Sequence, residues 1–144
     1  MKIVDLNVLL YAINEDSPLH SRVHSWWVEA LNGDETIGLP WVVLNGFLRL
    51  TTHPRVFPNP LTVNDATARI DAWLALSIVD VPVEKPEHWL TMRSLLSAAG
   101  TGGNLVTDIH LAALALTRDA VIVSCDRDFG RFDKLRLMNP AADR

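Results

Sequence analysis

Apolar residues recur along much of the chain at the three- to four-residue spacing of amphipathic helices. In one clear case, Leu19, Val23 and Trp26 share a face, and Asn32-Gly33 then supplies a stop signal. Short apolar runs separate these segments, as is typical of strands. The pattern predicts helices at residues 7–13, 18–31, 41–52, 62–77, 86–99 and 105–117. It predicts strands at residues 2–5, 36–39, 78–83, 121–124 and 135–138.

Alternation of strands and helices favours an α/β fold with a mainly parallel sheet. The strands are short because the helices occupy most of the 144 residues. A chain of this length can bury one hydrophobic core, so we expect a single domain that spans residues 1–144.

Composition narrows the functional classes. The formal net charge is −4, which argues against a nucleic-acid clamp that works through bulk positive charge. Cys125 is the sole cysteine, so an internal disulfide and a cysteine-rich zinc site are both excluded. The N-terminal run is interrupted early by Asp5, and no apolar stretch reaches the ~18 residues of a membrane span. We therefore expect a cytoplasmic protein that does not enter a membrane.

Four aspartates stand where apolar segments end or begin. Asp5 follows Ile3-Val4, and Asp126 follows the apolar run at residues 121–124, so both are expected at the carboxyl ends of inner strands. Ligands of open α/β sheets bind at that edge. Asp108 begins the most apolar helix. Asp128 comes two residues after Asp126 and would point the same way if the chain stays extended there.

A cluster of half-buried carboxylates repels itself, and a hard divalent cation would resolve that conflict. Mg²⁺ or Mn²⁺ prefers oxygen ligands, and such a site can activate water for attack on a phosphodiester. Each residue also has a structural interpretation. Asp5 could cap the following helix, Asp108 could interact with a helix dipole, and Asp126 and Asp128 could start a turn.

The joint pattern resembles the PIN-domain family over roughly residues 1–140. The resemblance rests on IVDLNVLLYA, TDIHLAALAL and VIVSCDRDF, in that order. The segment LPWVVLNGFLRLTTHPRVF further resembles the VapC-type toxin branch. The resemblance implies a PIN-like three-layer α/β/α fold and a Mg²⁺- or Mn²⁺-dependent endoribonuclease that cleaves structured RNA (transfer or ribosomal) with metal-activated water. It also implies a homodimer and a cognate antitoxin.

Roles carry over from the family residue by residue. Asp5, Asp108 and Asp126 match its metal-binding catalytic acids, and Asp128 matches a further acid of many members. Asn7 and Thr107 resemble polar residues that border the site.

One position departs from the family pattern. The family usually has a Glu on the helix predicted at residues 41–52, where this chain offers only Asn45 and Gly46 as the nearest candidates. We expect Asn45 to be buried in its apolar stretch and either to line the site or to bond to the backbone. The alternative function is therefore a catalytically degenerate PIN domain that acts as an RNA- or protein-binding module.

Arginines near the predicted site are candidate phosphate ligands. Arg49 and Arg127 are the two candidates for RNA binding, and Arg55 and Arg131 lie in the same segments. Each could equally be a solvated surface residue. Two other Mg²⁺-dependent classes fit less well, since the D-x-D of haloacid dehalogenase phosphatases and the paired acids of receiver domains are absent after the first strand.

Overall fold

The computed structural model describes residues 1–143, and within that range the chain forms six α-helices and five short strands. The helices are α1 (Leu6–Ile13), α2 (His20–Leu31), α3 (Trp41–Thr51), α4 (Val63–Leu74), α5 (His88–Ala99) and α6 (Leu105–Leu116). The strands are β1 (Lys2–Val4), β2 (Ile37–Gly38), β3 (Val79–Asp80), β4 (Val121–Val123) and β5 (Arg136–Met138), and a 3₁₀ helix (Arg127–Arg131) follows β4.

The strands form one sheet in the order β3-β2-β1-β4-β5, and every neighbouring pair is parallel. The predicted α/β class is therefore confirmed, and the sheet of the described residues is parallel throughout rather than only mainly so. In the register of the two central strands, Val4 lies beside Val123, so β1 and β4 end at the same level.

The chain reverses direction across the sheet at β1. It first moves outward from β1 to β2 and β3, and then returns through α5 and α6 to β4 on the other side of β1. Because such crossovers are right-handed, the reversal places α5 and α6 on the opposite face of the sheet from α1 to α4. The result is three layers, with a crevice at the carboxyl ends of β1 and β4, where ligands of open α/β sheets bind.

Helix ends follow the signals in the sequence. Thr62 caps α4, and its hydroxyl accepts a hydrogen bond from the Asp65 N–H at 3.0 Å. Gly100 ends α5 in the left-handed conformation at φ 67°, which suits a residue without Cβ. Strand β3 is shorter than predicted, because Pro82 follows it and has no backbone N–H to pair.

The core lies where the central strands meet α6. Ile3 and Ile122 are completely buried in the sheet, as are Ile109 and Leu114 on the facing helix. Seven of the 12 residues of α6 are buried, as expected from its nearly uniform apolar sequence. Within residues 1–143, none of the helices combines the length and apolar character that a bilayer crossing requires.

Candidate metal centre

Asp5 is held by hydrogen bonds at the end of β1. Its carboxylate caps α1 by accepting the Leu6 N–H at 2.7 Å, and it also accepts the Ser124 hydroxyl at 2.7 Å and the Asn7 amide at 2.9 Å. The residue is only 8% exposed. Three of the roughly four lone-pair directions of the carboxylate are thus occupied, and its orientation is fixed by two strands and a helix.

The Ser124 hydroxyl links Asp5, at the end of β1, to Asp126, which follows β4. Ser124 was not among the site residues predicted from the sequence. Its buried hydroxyl donates to Asp5 and accepts both the Asn7 amide at 3.0 Å and the Asp126 N–H at 2.9 Å. Asn7 completes the link, since its side-chain oxygen accepts the Cys125 N–H at 3.1 Å. The signal was present in the sequence as a hydroxyl at the end of an apolar strand, directly before the acids.

Asp126 and Asp128 are neighbours because the chain turns, not because it stays extended. Of the two possibilities that the sequence left open, an extended segment and a turn, the structure has the turn. Asp126 is the N-cap of the 3₁₀ helix, and its side chain accepts the Asp128 N–H at 2.9 Å. Capping therefore brings the second carboxylate towards the first, and Asp128 is the more exposed of the two.

Asp108 comes to the same place from the opposite direction. It lies in the first turn of α6, the helix that leads into β4, so its side chain reaches the carboxyl edge of the sheet. One carboxylate oxygen each from Asp108, Asp126 and Asp128 lie within 4.8 Å of one another. Asp5 is not part of this group of three, although its charge raises the pKa of Asp108 and the charge of Asp126 in turn raises the pKa of Asp5.

The electrostatics of the site are dominated by burial and repulsion. Burial, followed by the charges of Asp5, Asp126 and Asp128, raises the pKa of Asp108 to about 6, and Arg131 opposes the shift. Burial also raises the pKa of Asp5, while its hydrogen bonds from Ser124 and Leu6 act against that increase. Asp108 has no such compensation, because its carboxylate makes no hydrogen bond within residues 1–143.

Helix α3 does not supply a carboxylate in place of the Glu that the family usually has on this helix. Asn45 is exposed, so its expected burial is wrong, and its side chain makes no hydrogen bond within the described chain. Gly46 is the residue that faces α1, where a Cβ would come within 2.6 Å of Leu6 Cδ2. The glycine lets the two helices approach closely beside Asp5.

The remaining predicted site residues lie on the surface. Thr107, Arg49 and Arg127 are exposed, and none forms an ion pair or side-chain hydrogen bond among residues 1–143. Arg131 is the arginine that acts on the site, with Nη2 3.8 Å from Asp128 Oδ1. Burial raises the pKa of the Cys125 thiol to about 11, so this thiol is protonated at neutral pH and is a poor nucleophile.

Comparison with known proteins places this geometry in a family. The PIN domain family matches residues 2–135. The chain is 42% identical over 140 residues to Ribonuclease VapC33 of Mycobacterium tuberculosis, covering 97% of this chain and 98% of that protein. It is 44% identical over 142 residues to Ribonuclease VapC37 of the same organism, covering 99% of both chains.

Solved structures share the fold at low identity. VapBC2 from Rickettsia felis, bound to a promoter DNA fragment, matches with a TM-score of 0.67 and 20% identity over 96% of this chain and 97% of that one. VapC20 from Mycobacterium tuberculosis, a Sarcin-Ricin loop cleaving toxin, matches with a TM-score of 0.66 and 15% identity over 94% of this chain and 99% of that one. The chain therefore belongs to the PIN-domain family, and within it to the VapC-type toxin ribonucleases.

Proposed function

We propose that this VapC-type endoribonuclease cleaves structured RNA at a Mg²⁺ or Mn²⁺ centre formed by Asp5, Asp108, Asp126 and Asp128. The observation that carries the proposal is the cluster of carboxylate oxygens within 4.8 Å at the carboxyl edge of the sheet. Two of its members lie in the turn that follows β4 and the third lies in the first turn of α6, so two separate segments of the chain supply the cluster.

The residues present fit a hard divalent cation. All the candidate ligands are carboxylate oxygens, which suit Mg²⁺ or Mn²⁺ rather than softer metals. The raised pKa of Asp108 also indicates uncompensated negative charge at the site. A cation bound here would supply the positive charge that activates water and stabilises the leaving oxygen of a phosphodiester.

The residues of this centre have different roles. Leu6, Asn7 and Ser124 fix the Asp5 carboxylate through three hydrogen bonds, which leaves about one of its lone-pair directions for a cation. Asp108 and Asp126 carry half-buried charge that binding of a cation would neutralise. Asp128 is more exposed, so it is the ligand best placed to exchange with solvent or substrate.

Two partners follow from the family. The related VapBC structures pair a toxin with its antitoxin, and we expect this chain to bind a cognate antitoxin and to form a homodimer. We expect the RNA substrate to be transfer or ribosomal RNA, and the related VapC20 is a Sarcin-Ricin loop cleaving toxin.

One observation favours a second candidate function. Helix α3 contributes no carboxylate, since Asn45 is exposed and Gly46 has no side chain. A degenerate PIN domain that binds RNA or protein without cleaving would have the same fold. The two candidates differ in one measurable property, metal-dependent cleavage.

The test is cleavage of total cellular RNA and of defined transfer and ribosomal RNA fragments by the purified protein. Reactions with Mg²⁺, with Mn²⁺ and with EDTA are compared for wild type, Asp108→Asn and the control Asp71→Asn, whose exposed carboxylate lies on α4. Discrete fragments that need metal, persist in the control and vanish in Asp108→Asn support the proposal. Intact RNA in reactions with folded wild-type protein would instead support the second candidate, a degenerate PIN domain that binds RNA or protein without cleaving.

A further inference from the structure

A groove of about 530 Å³ lies between α5 and the segment 131–134 at the end of the 3₁₀ helix. Leu95 and Ala98 of α5 form one wall, and Phe132 contributes to the other. Arg131 and Lys134 place two cations along the same segment. The volume lies within the range of about 300–1,000 Å³ that is typical of small-molecule sites.

Arg131 connects this groove to the candidate metal centre. Its Nη2 lies 3.8 Å from Asp128 Oδ1, and Asp128 belongs to the cluster of three carboxylates. That separation is longer than the 2.7–2.9 Å of a good charge-assisted hydrogen bond. The guanidinium group therefore keeps its donors available while it stands next to the predicted cleavage centre.

Lys134 is the second available cation. Its ammonium group forms no ion pair or hydrogen bond within residues 1–143, and the residue is exposed. Its backbone is in the left-handed region at φ 62°, and its N–H donates to the carboxylate of Asp133 at 3.1 Å. The carboxylate of Asp133, the acid among the described residues that line the groove, thus accepts a backbone hydrogen bond next to the two cations.

We propose that this groove binds the RNA strand next to the cleaved phosphodiester, with Arg131 and Lys134 as its phosphate ligands. The inference rests on the proposed function, because it assigns the groove to the substrate of the acidic site. Apolar walls beside two cations match a nucleotide, whose base is flat and apolar and whose phosphate is anionic.

Charge complementarity favours RNA over a protein segment as the occupant. The whole chain carries a formal charge of −4, so a polyanion must be attracted by local cations. Arg131 is such a cation at the edge of the acidic cluster, where the bound strand has to pass. Within residues 1–143, Arg49 and Arg127, the two candidates from the sequence, form no ion pair with the acids of the site.

The test measures RNA binding separately from cleavage. A short fluorescein-labelled single-stranded oligoribonucleotide is titrated by anisotropy in EDTA, at several salt concentrations, with wild type and Arg131→Ala/Lys134→Ala. We expect RNA binding to weaken about tenfold at low salt. The plot of log K against log[salt] should become less steep, by about 1.4 in slope, because two phosphate contacts are lost.

The matched control is Arg69→Ala/Lys85→Ala, which removes the same charge from exposed positions outside the groove. It should keep the affinity and slope of wild type, as should Arg131→Lys, which retains the cation. Circular dichroism and the urea midpoint verify that each variant is folded.

Two results would overturn the inference. One is that Arg131→Ala/Lys134→Ala binds the RNA with the affinity and salt slope of the wild-type protein. This result overturns the inference even if the variant binds an antitoxin peptide more weakly than wild type does. The other is an equal loss in the control variant. Metal-dependent cleavage of RNA by wild type is scored in a separate assay, so failure of the proposed function is distinguishable from failure of this one.

Discussion

The candidate centre has two halves that differ in how their charges are satisfied. The half around Asp5 is hydrogen-bonded, since its carboxylate accepts from Leu6, Asn7 and Ser124. Within residues 1–143 the Asp108 carboxylate accepts no hydrogen bond, and burial and the charges of three acids raise its pKa to about 6. Burial raises the pKa of both carboxyls, but within residues 1–143 hydrogen bonds act against the increase only at Asp5. The negative charge of Asp108 is left for a bound cation to balance.

This difference separates two contributions of an acid to a nuclease site. Asp5 contributes to both folding and the site, because it caps α1 and holds the ends of β1 and β4 together. The ionised Asp108 carboxylate is unfavourable in the folded state, because it is partly buried and repelled by the other acids. Binding of a cation would remove that cost, and the gain would appear as affinity for the cation. Substitutions in the two halves should therefore change activity in the same direction and stability in opposite directions.

The largest expected effect is loss of RNA cleavage in Asp108→Asn. Replacing residues that merely support metal ligands costs about 10- to 100-fold, so loss of a ligand should cost at least about 100-fold. The variant should nevertheless be more stable than wild type in EDTA at pH 7, because a repelled half-buried charge is gone. Cleavage rates and urea unfolding measure the two properties, and a destabilised Asp108→Asn would contradict the comparison.

Magnesium should stabilise the wild-type protein. A ligand that binds the folded state at 100 times its Kd adds about 2.7 kcal/mol to the free energy of unfolding. Thermal unfolding with increasing Mg²⁺ should show a rising Tm for wild type and for Asp71→Asn, and little or no rise for Asp108→Asn. An equal rise in all three proteins would mean that the cation binds elsewhere.

Asp5→Ala should lose both stability and cleavage. Loss of the helix cap costs about 1 kcal/mol, and the Ser124 hydroxyl and one N–H of the Asn7 amide lose their acceptor, so we expect a total of about 2 kcal/mol. Urea unfolding in EDTA measures this cost without any contribution from metal. If Asp5→Ala were as stable as wild type, the hydrogen-bonded half would not support the fold in this way.

Ser124→Ala should have a smaller effect of the same kind. The variant removes the hydroxyl that donates to Asp5, which costs about 1 kcal/mol of stability, and it should reduce cleavage about tenfold through misplacement of the carboxylate. Ser124→Thr keeps the hydroxyl and should retain most of the cleavage rate. Equal losses in both variants would indicate a packing effect at this position.

The pH dependence of stability without metal should also change in Asp108→Asn. The folded-state pKa of Asp108 is about 6, against an ordinary value of 3.8, so the folded state binds more protons in this interval. Stability from this carboxyl is therefore lost as pH rises from about 4 to about 6. Urea unfolding in EDTA should show a shallower decline for Asp108→Asn, and parallel curves would assign the decline to other groups.

Much of this protein can be predicted from its sequence because local rules govern it. Helical spacing, the Thr62 cap and the Gly100 stop depend on neighbours within a few residues, and the corresponding helices appear where they were expected. The positions of Asp5 and Asp126 at strand ends are also local, since each directly follows an apolar run. The family resemblance rests on the same three segments.

The tertiary structure decided which polar groups meet. Ser124 bonds to Asp5 across 119 positions of sequence, and a parallel register that ends β1 and β4 together is what allows this contact. Asn45 is exposed and Arg131 stands beside the acids for the same reason, because the side of a helix that faces the site depends on packing against distant segments. The sequence alone determined that four acids border the sheet, whereas only the fold determined that Asp5 is satisfied and Asp108 is not.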